Sequence, residues 1–251
     1  MNLIECLLIE NSCYKSKSTI VPNGVMIHST GANNPTLRRY VQPVPGQEHY
    51  TKLLTLIGKN PNGNSWNRPG LNVCVHAFIG KLADGSISTV QTLPWNMRGW
   101  HSGRGKNGSA NDTHIGFEIC EDGLADKDYF DKVYKEAVEL TAKLCRDFNL
   151  DPMADGVVIC HSEGYKRGIA SNHGDVMHWF PKHGKSMDTF RKDVADLLTN
   201  EVGDASAWSA EARTWAVKSK LVVGTGDGYE WKKPVTREEL VTILHRFNNL
   251  K

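Results

Sequence analysis

The sequence predicts an α/β protein: a central mixed β-sheet flanked by helices, followed by a small C-terminal helical module. Three observations predict it. Short β-forming runs recur along the first 199 residues, and two of them lead into histidine. One long segment, 130–148, carries apolar residues at helical spacing. Near residue 200 the chain turns small and polar before a second, separate apolar pattern begins. With 251 residues, 39% hydrophobic and 23% charged, the chain suffices for one sizeable core and an appendage.

The elements follow in order. Val25 to His28 is a strand, entered from the turn-forming Pro22-Asn23-Gly24. Pro43 to Gly46 is a turn, and His49 to Ile57 a short helix. Val73 to Ile79 and Ile87 to Gln91 flank Asp84-Gly85, which signals a hairpin. Ile115 to Cys120 is the next strand. The long helix places Phe130, Val133, Tyr134, Ala137, Val138, Leu140, Leu144 and Phe148 on one face, with Asp126 or Asp128 as its cap. Val157 to Cys160 is a further strand, ending beside His161. A last helix over 187–198 aligns Phe190, Val194, Leu197 and Leu198.

Domain boundaries are read as a catalytic domain over 1–199, a linker over 200–206 and a small unit over 207–251. In that unit Trp208, Ala212, Trp215, Ala216 and Leu221 suggest one helix, and Gly224 to Gly228 a turn. A second helix opens at Thr236 and Glu239, a capping-box spacing, and aligns Leu240, Ile243, Leu244 and Phe247. A hairpin of this size buries little alone, so it is expected to pack on the main domain or on another copy.

Bulk properties narrow the function. A formal net charge of +2 gives no basic patch of the kind a nucleic-acid binder needs. No stretch reaches transmembrane length. Met1 to Cys6 shows neither a basic n-region nor an apolar h-region, so synthesis in the cytoplasm without a signal peptide is expected. The six cysteines include no C-x-x-C pair, and several sit in apolar runs, which reads as buried free thiols.

The 10 histidines carry the chemistry. His28 and His161 each follow a β-like run, where a side chain projects toward a cleft. A third group lies in Ser171-Asn172-His173-Gly174-Asp175-Val176-Met177-His178. Two imidazoles and one carboxylate form a familiar catalytic zinc set, with one position left for water. Neutral imidazole offers a lone pair at physiological pH. His76 and His114 lie inside strand patterns and read as structural.

Here the chain resembles a known family. The matching stretches are Val25-Met26-Ile27-His28-Ser29-Thr30, Val75-His76-Ala77-Phe78-Ile79-Gly80, Thr92-Leu93-Pro94-Trp95 and Gly99-Trp100-His101. They continue with 111–120, then His161 to Tyr165, and finally Gly168 to Asp175. Their order resembles the zinc N-acetylmuramoyl-L-alanine amidases that share the peptidoglycan-recognition-protein fold, also termed type-2 amidases. It is especially similar to phage and prophage endolysins and autolysins of Gram-positive bacteria, over roughly residues 20–195.

The resemblance implies peptidoglycan as substrate and Zn2+ as cofactor. His28 and His161 match the two ligand histidines. The third ligand matches Asp175, with Val176 where proline is usual and His173 where a catalytic lysine is usual; His173 and His178 stay open as alternatives. Glu118 matches the glutamate that serves some members as base, and the tyrosine used by others is absent. His173 then takes the lysine's role of stabilising the oxyanion. Trp95, Trp100 and His101 are expected to contact substrate, with core packing the competing role for the two tryptophans.

The tail resembles a single S-layer-homology-like repeat through Trp215-Ala216-Val217, 224–228 and Pro234 to Leu240. Such repeats bind wall polysaccharide, usually in threes, so a lone repeat leaves self-association or a packing role. A phage or prophage lytic enzyme acting on the wall after release is the expectation. A non-catalytic peptidoglycan-binding module, a bacterial autolysin with the same chemistry and a structural wall protein are the alternatives.

Overall fold

The computed structural model describes residues 1–202, 209–224, 229, 231 and 234–250. The chain divides into two compact units, Met1–Ala195 and Asp196–Lys251.

The first unit is built on a six-stranded sheet. Its strands are β1 (Leu3–Glu5), β2 (Gly24–Asn33), β3 (Ala77–Lys81), β4 (Ile87–Gln91), β5 (His114–Glu121) and β6 (Val158–Cys160), in the spatial order β1-β4-β3-β5-β2-β6. Only the β3–β4 hairpin is antiparallel; β1–β4, β3–β5, β5–β2 and β2–β6 run parallel. The sheet is therefore mixed, as the sequence predicts. Strands β5 and β6 and the first half of β2 are buried on both faces, the usual consequence of parallel pairing.

Alternation along the strands separates the two faces. Val25, Ile27, Phe117, Ile119, Ala77 and Ile79 are fully buried on one side. The helix α3 (Lys127–Asp147) packs there against β2, β3 and β4. Thr89 Oγ1, beside Ile79 in the hairpin, donates to Glu136 of α3 at 3.0 Å. Asp126 caps α3 by accepting from the Tyr129 amide at 3.0 Å, which settles the choice between Asp126 and Asp128. The opposite face carries His28, Glu118 and Phe78. Tyr40, Leu53 and Ile57, the last two from α2 (Tyr50–Ile57), join Phe78 in one core cluster. Met26, Ala110, Ile159 and Ala170 form a second.

Several expectations need correction. The apolar run from Val73 is buried but joins the sheet only at Ala77; Cys74 pairs instead with Trp100 in an isolated bridge. Two short elements have no counterpart in the sequence pattern: β1, and α1 (Ser12–Ser16), capped by Asn11 accepting from the Cys13 amide. His161 follows the strand β6 directly, as expected, and also opens a helix that the sequence pattern does not announce, α4 (His161–Arg167). The last helix of the unit, α5 (Met187–Val202), runs into the stretch read as a linker over 200–206, and 203–206 lie outside the described residues.

In the second unit α6 (Ala210–Lys218) and α7 (Arg237–Asn248) are helical as expected. The Thr236–Glu239 capping box is formed in both directions, at 2.8 and 3.2 Å. Trp215 meets Phe247 edge-on with centroids 6.3 Å apart. Leu240, Val241, Leu244 and Phe247 of α7 are exposed. Trp208 and most of the expected turn, 225–228, lie outside the described residues. All six cysteines are buried and unpaired. Among the described residues no helix is long and apolar enough to cross a membrane.

Candidate metal centre

Three adjacent parallel strands run side by side; β2 carries His28 and β5 carries Glu118 within their lengths, β2 running on past the expected end at His28 to Asn33, and β6 leads into His161. In β2 and β5 His28 and Glu118 are register partners, so their side chains share a face. Ile27 pairs with Cys160 of β6, which brings His161, the next residue, level with His28. The register of β2 shifts just after this point, between Ser29 and Asn33. Such irregularities commonly end pairing beside a site. The carboxyl edge of parallel strands is also where α/β sheets bind ligands.

His161 is fixed by its place at the start of α4. Glu163 accepts from the Cys160 amide at 3.1 Å, closing the helix end. Arg191 of α5 holds the same carboxylate with two hydrogen bonds, at 3.0 and 3.1 Å. Asp175 comes from the loop after α4, where the Ser162 amide reaches the Asp175 carbonyl at 3.5 Å.

The geometry brings His28, His161 and Asp175 together, their ligand atoms all within 4.8 Å of one another. His28 Nδ1 lies 3.1 Å from His161 Nδ1 and 3.4 Å from Asp175 Oδ2, and the third edge is 3.5 Å. Two ligands of a tetrahedral zinc ion, each about 2.0–2.1 Å from it, stand about 3.3 Å apart. Donor set and spacing both fit zinc. His178 is engaged elsewhere, its Nε2 at 2.8 Å from Glu121 Oε1. His173 is exposed and lies over the His161 ring, centroids 4.7 Å apart, beside the ligand triangle rather than in it. Of the alternatives for the third ligand, Asp175 is therefore the one within the triangle.

Electrostatics separate the two carboxylates. Burial pushes Asp175 up, but the adjoining rings of His161 and His28 outweigh it and hold the carboxyl well below its usual range. Burial, then the charges of Asp175 and Glu121, push Glu118 well above the carboxylate range. Glu118 Oε2 is buried with no hydrogen-bond partner in the protein. Leaving such an oxygen unsatisfied is costly, and a buried carboxyl of this kind is a mark of functional sites. Burial, opposed in part by Asp175, also lowers His28.

Behind the triangle runs a file of imidazoles. From His28, the ring centroids of His101 and His161 lie at 5.1 and 4.9 Å, and His76 is 6.0 Å beyond His101. His101 Nδ1 is 3.0 Å from His28 Nε2, and His101 Nε2 is 3.2 Å from the His114 carbonyl. Both His101 nitrogens are thus engaged inside the protein. His161 Nε2 is 3.3 Å from Ser171 Oγ. Trp100 is exposed, with the Arg98 guanidinium 5.3 Å from its ring. Trp95 is half-buried, and among the described residues no ring contact joins it to the file. Sequence reasoning does not foresee the partners of Ser171 and Asn111. Ser171 and Asn111 stand in the motif stretches, but no spacing announces their partners.

Comparison with known proteins bears on the fold and the family. A stretch of 100 residues, 39% of this chain, is 45% identical to N-acetylmuramoyl-L-alanine amidase CwlH of Bacillus subtilis (strain 168). The match spans 33% of that relative's length. The crystal structure of Staphylococcus aureus hydrolase AmiA in complex with its ligand aligns with 83% of this chain and 88% of its own, with a TM-score of 0.56 and 19% identity. PlyL aligns with 77% of this chain and 97% of its own, with a TM-score of 0.51 and 20% identity. Likeness at these identities speaks for the fold. Residues 18–178 match the family described as N-acetylmuramoyl-L-alanine amidase, well over half of the chain, and the chain belongs to that family.

Proposed function

We propose that this chain is a zinc-dependent hydrolase that cuts the amide bond between N-acetylmuramic acid and L-alanine in bacterial peptidoglycan. The observation that carries the reading is the His28–His161–Asp175 triangle with the partnerless Glu118 on the same sheet face, in a chain of this family.

His28, His161 and Asp175 would hold the ion, which when bound polarises a carbonyl and acidifies water. Glu118 takes the proton of the attacking water and passes it to the leaving amine; its raised affinity for protons suits it to both halves of that transfer. His173, exposed beside His161, stabilises the oxyanion by donating from its ring. Trp100 offers an exposed aromatic surface to the substrate, next in the chain to His101. A non-catalytic binding module would leave the buried, unsatisfied Glu118 without a purpose.

Protein purified without chelator should carry about one zinc per chain. Glu118→Gln should keep fold and metal while turnover of purified peptidoglycan falls about 10²–10⁴-fold. Fully active metal-free protein would sink the zinc reading, and near-normal hydrolysis by Glu118→Gln would move the base to His173.

The finer reading places this activity in a phage or prophage lytic enzyme, made in the host cytoplasm and acting on the wall after release. The family resemblance supports it, and the exposed apolar face of α7 supports a tail that engages wall polysaccharide or another copy. Weak sites gain strength when linked. A chain ending at residue 199 should still hydrolyse soluble muropeptide but sediment less with whole walls. Unchanged sedimentation would refute wall targeting by the tail.

A further inference from the structure

Each ligand histidine of the triangle turns its Nδ1 inward and its Nε2 toward one short segment, His101–Ser102. His28 Nε2 meets His101 Nδ1 at 3.0 Å. His161 Nε2 meets Ser171 Oγ, which in turn donates to the Ser102 carbonyl at 3.3 Å. The segment is itself clamped. Asn111, fully buried, accepts from the His101 amide at 2.7 Å and the Ser102 amide at 2.9 Å, and donates to the Gly103 carbonyl at 3.0 Å. The His101 ring lies flat over Gly116 of β5, where a Cβ would stand 2.5 Å from its Cγ; only glycine leaves that space.

The direction of the first chain of hydrogen bonds is set at its far end. A neutral imidazole has one N–H and one lone pair, whereas a carbonyl only accepts. His101 Nε2 faces the His114 carbonyl at 3.2 Å, so this nitrogen carries the proton. His101 Nδ1 is then an acceptor, and His28 must donate to it from Nε2. That leaves the lone pair of His28 on Nδ1, the atom that faces His161 and Asp175.

We propose that His101 is a positioning residue that fixes the tautomer of His28, so that its Nδ1 lone pair is presented to the metal. The proposal rests on the zinc reading above, but it makes a statement about the metal-free protein that zinc does not decide. Outer partners of this kind orient ligands and contribute about 10- to 100-fold in metal affinity.

Two measurements test it. In metal-free wild-type protein, long-range nitrogen–proton correlation spectra should find a proton on Nε2 of His28, and on His101 a proton on Nε2 with Nδ1 bare. A His28 Nε2 without a proton would overturn the proposal. This spectrum needs no metal, so failure here is distinguishable from failure of the zinc reading. Second, zinc affinity is measured by chelator competition. His101→Leu, which offers no acceptor, should raise the zinc dissociation constant about 10- to 100-fold. His101→Asn places an amide oxygen near the lost Nδ1 and should keep most of the affinity. Unchanged affinity in a folded His101→Leu protein, or equal losses in folded Leu and Asn variants, would overturn the proposal in favour of simple packing. Should His101→Leu fail to fold, the wild-type spectrum and the Asn variant decide.

Discussion

His28 and His76 belong to one file of rings, are equally shut from solvent, and serve opposite ends. His76 spends both nitrogens on the backbone: Nε2 donates to the Met97 carbonyl at 2.7 Å, and Nδ1 accepts from the Gly116 amide at 3.0 Å. Nothing is left over, and the ring ties the segment before β3 to β5. His28 faces an imidazole on one side and an imidazole with a carboxylate on the other. The difference teaches that burial does not mark a candidate ligand histidine. The mark is a nitrogen aimed at other lone pairs, an arrangement that is stable only with a cation or a proton among them.

The comparison breaks most sharply by truncating each ring. His28→Ala should lose stoichiometric zinc, and hydrolysis with it, while the protein stays folded by circular dichroism. His76→Ala should cost about 3–5 kcal/mol of stability, through a cavity and two orphaned backbone groups, and retain zinc in the fraction that folds. Denaturant titration with metal analysis on both variants checks this. Loss of zinc from a stable His76→Ala protein would erase the distinction.

A pH titration of stability gives the next effect. Burial holds His76 down at about 4, against the opposing pull of its carbonyl neighbours. In the unfolded chain a histidine titrates near 6.5. As pH falls from 6.5 the unfolded state takes up the proton first, so stability drops until about pH 4, where both states are charged and the loss stops. For this one residue the drop is about 3 kcal/mol. Burial also lowers His28, His101 and His114, which adds to this slope, while Glu118, held well above the carboxylate range, opposes it. A flat profile between pH 6.5 and 4 in metal-free protein would contradict the assignment.

The smallest effect lies far from the file. Thr236→Ala removes one half of the α7 capping box and should cost the tail unit about 1 kcal/mol, leaving hydrolysis of soluble substrate untouched. A matching loss in the catalytic unit would show that the two units unfold together.

What the sequence discloses follows the same division between local and through-space information. The long helix and the Thr236 box are legible because their signals are periodic or adjacent. So are the strand that carries His28 and the one that leads into His161, since a β-forming run is itself the signal, although β2 runs past the expected end at His28 to Asn33. Helix α4 is not legible. His161-Ser162-Glu163-Gly164-Tyr165-Lys166-Arg167 lacks an apolar period, contains a glycine and is capped by Cys160 rather than by a usual capping residue. The strand expected from Val73 fails because an apolar run reports burial, not pairing, and Cys74 finds its partner in Trp100. The partners of His101 are illegible for a related reason: they are 13 and 73 residues away in the chain.

The six buried thiols bear on how long the protein lasts outside a reducing compartment. Burial pushes Cys6 and Cys145 up to about 12 and Cys160 to about 11, so the folded chain presents almost no thiolate to an oxidant. On unfolding, each thiol returns to about 8.5 and six reactive partners are released into one flexible chain. Mispairing then competes with refolding. Working life under oxidising conditions is therefore set by how often the fold opens, a kinetic quantity, and a bath of reductant extends it without altering the native state.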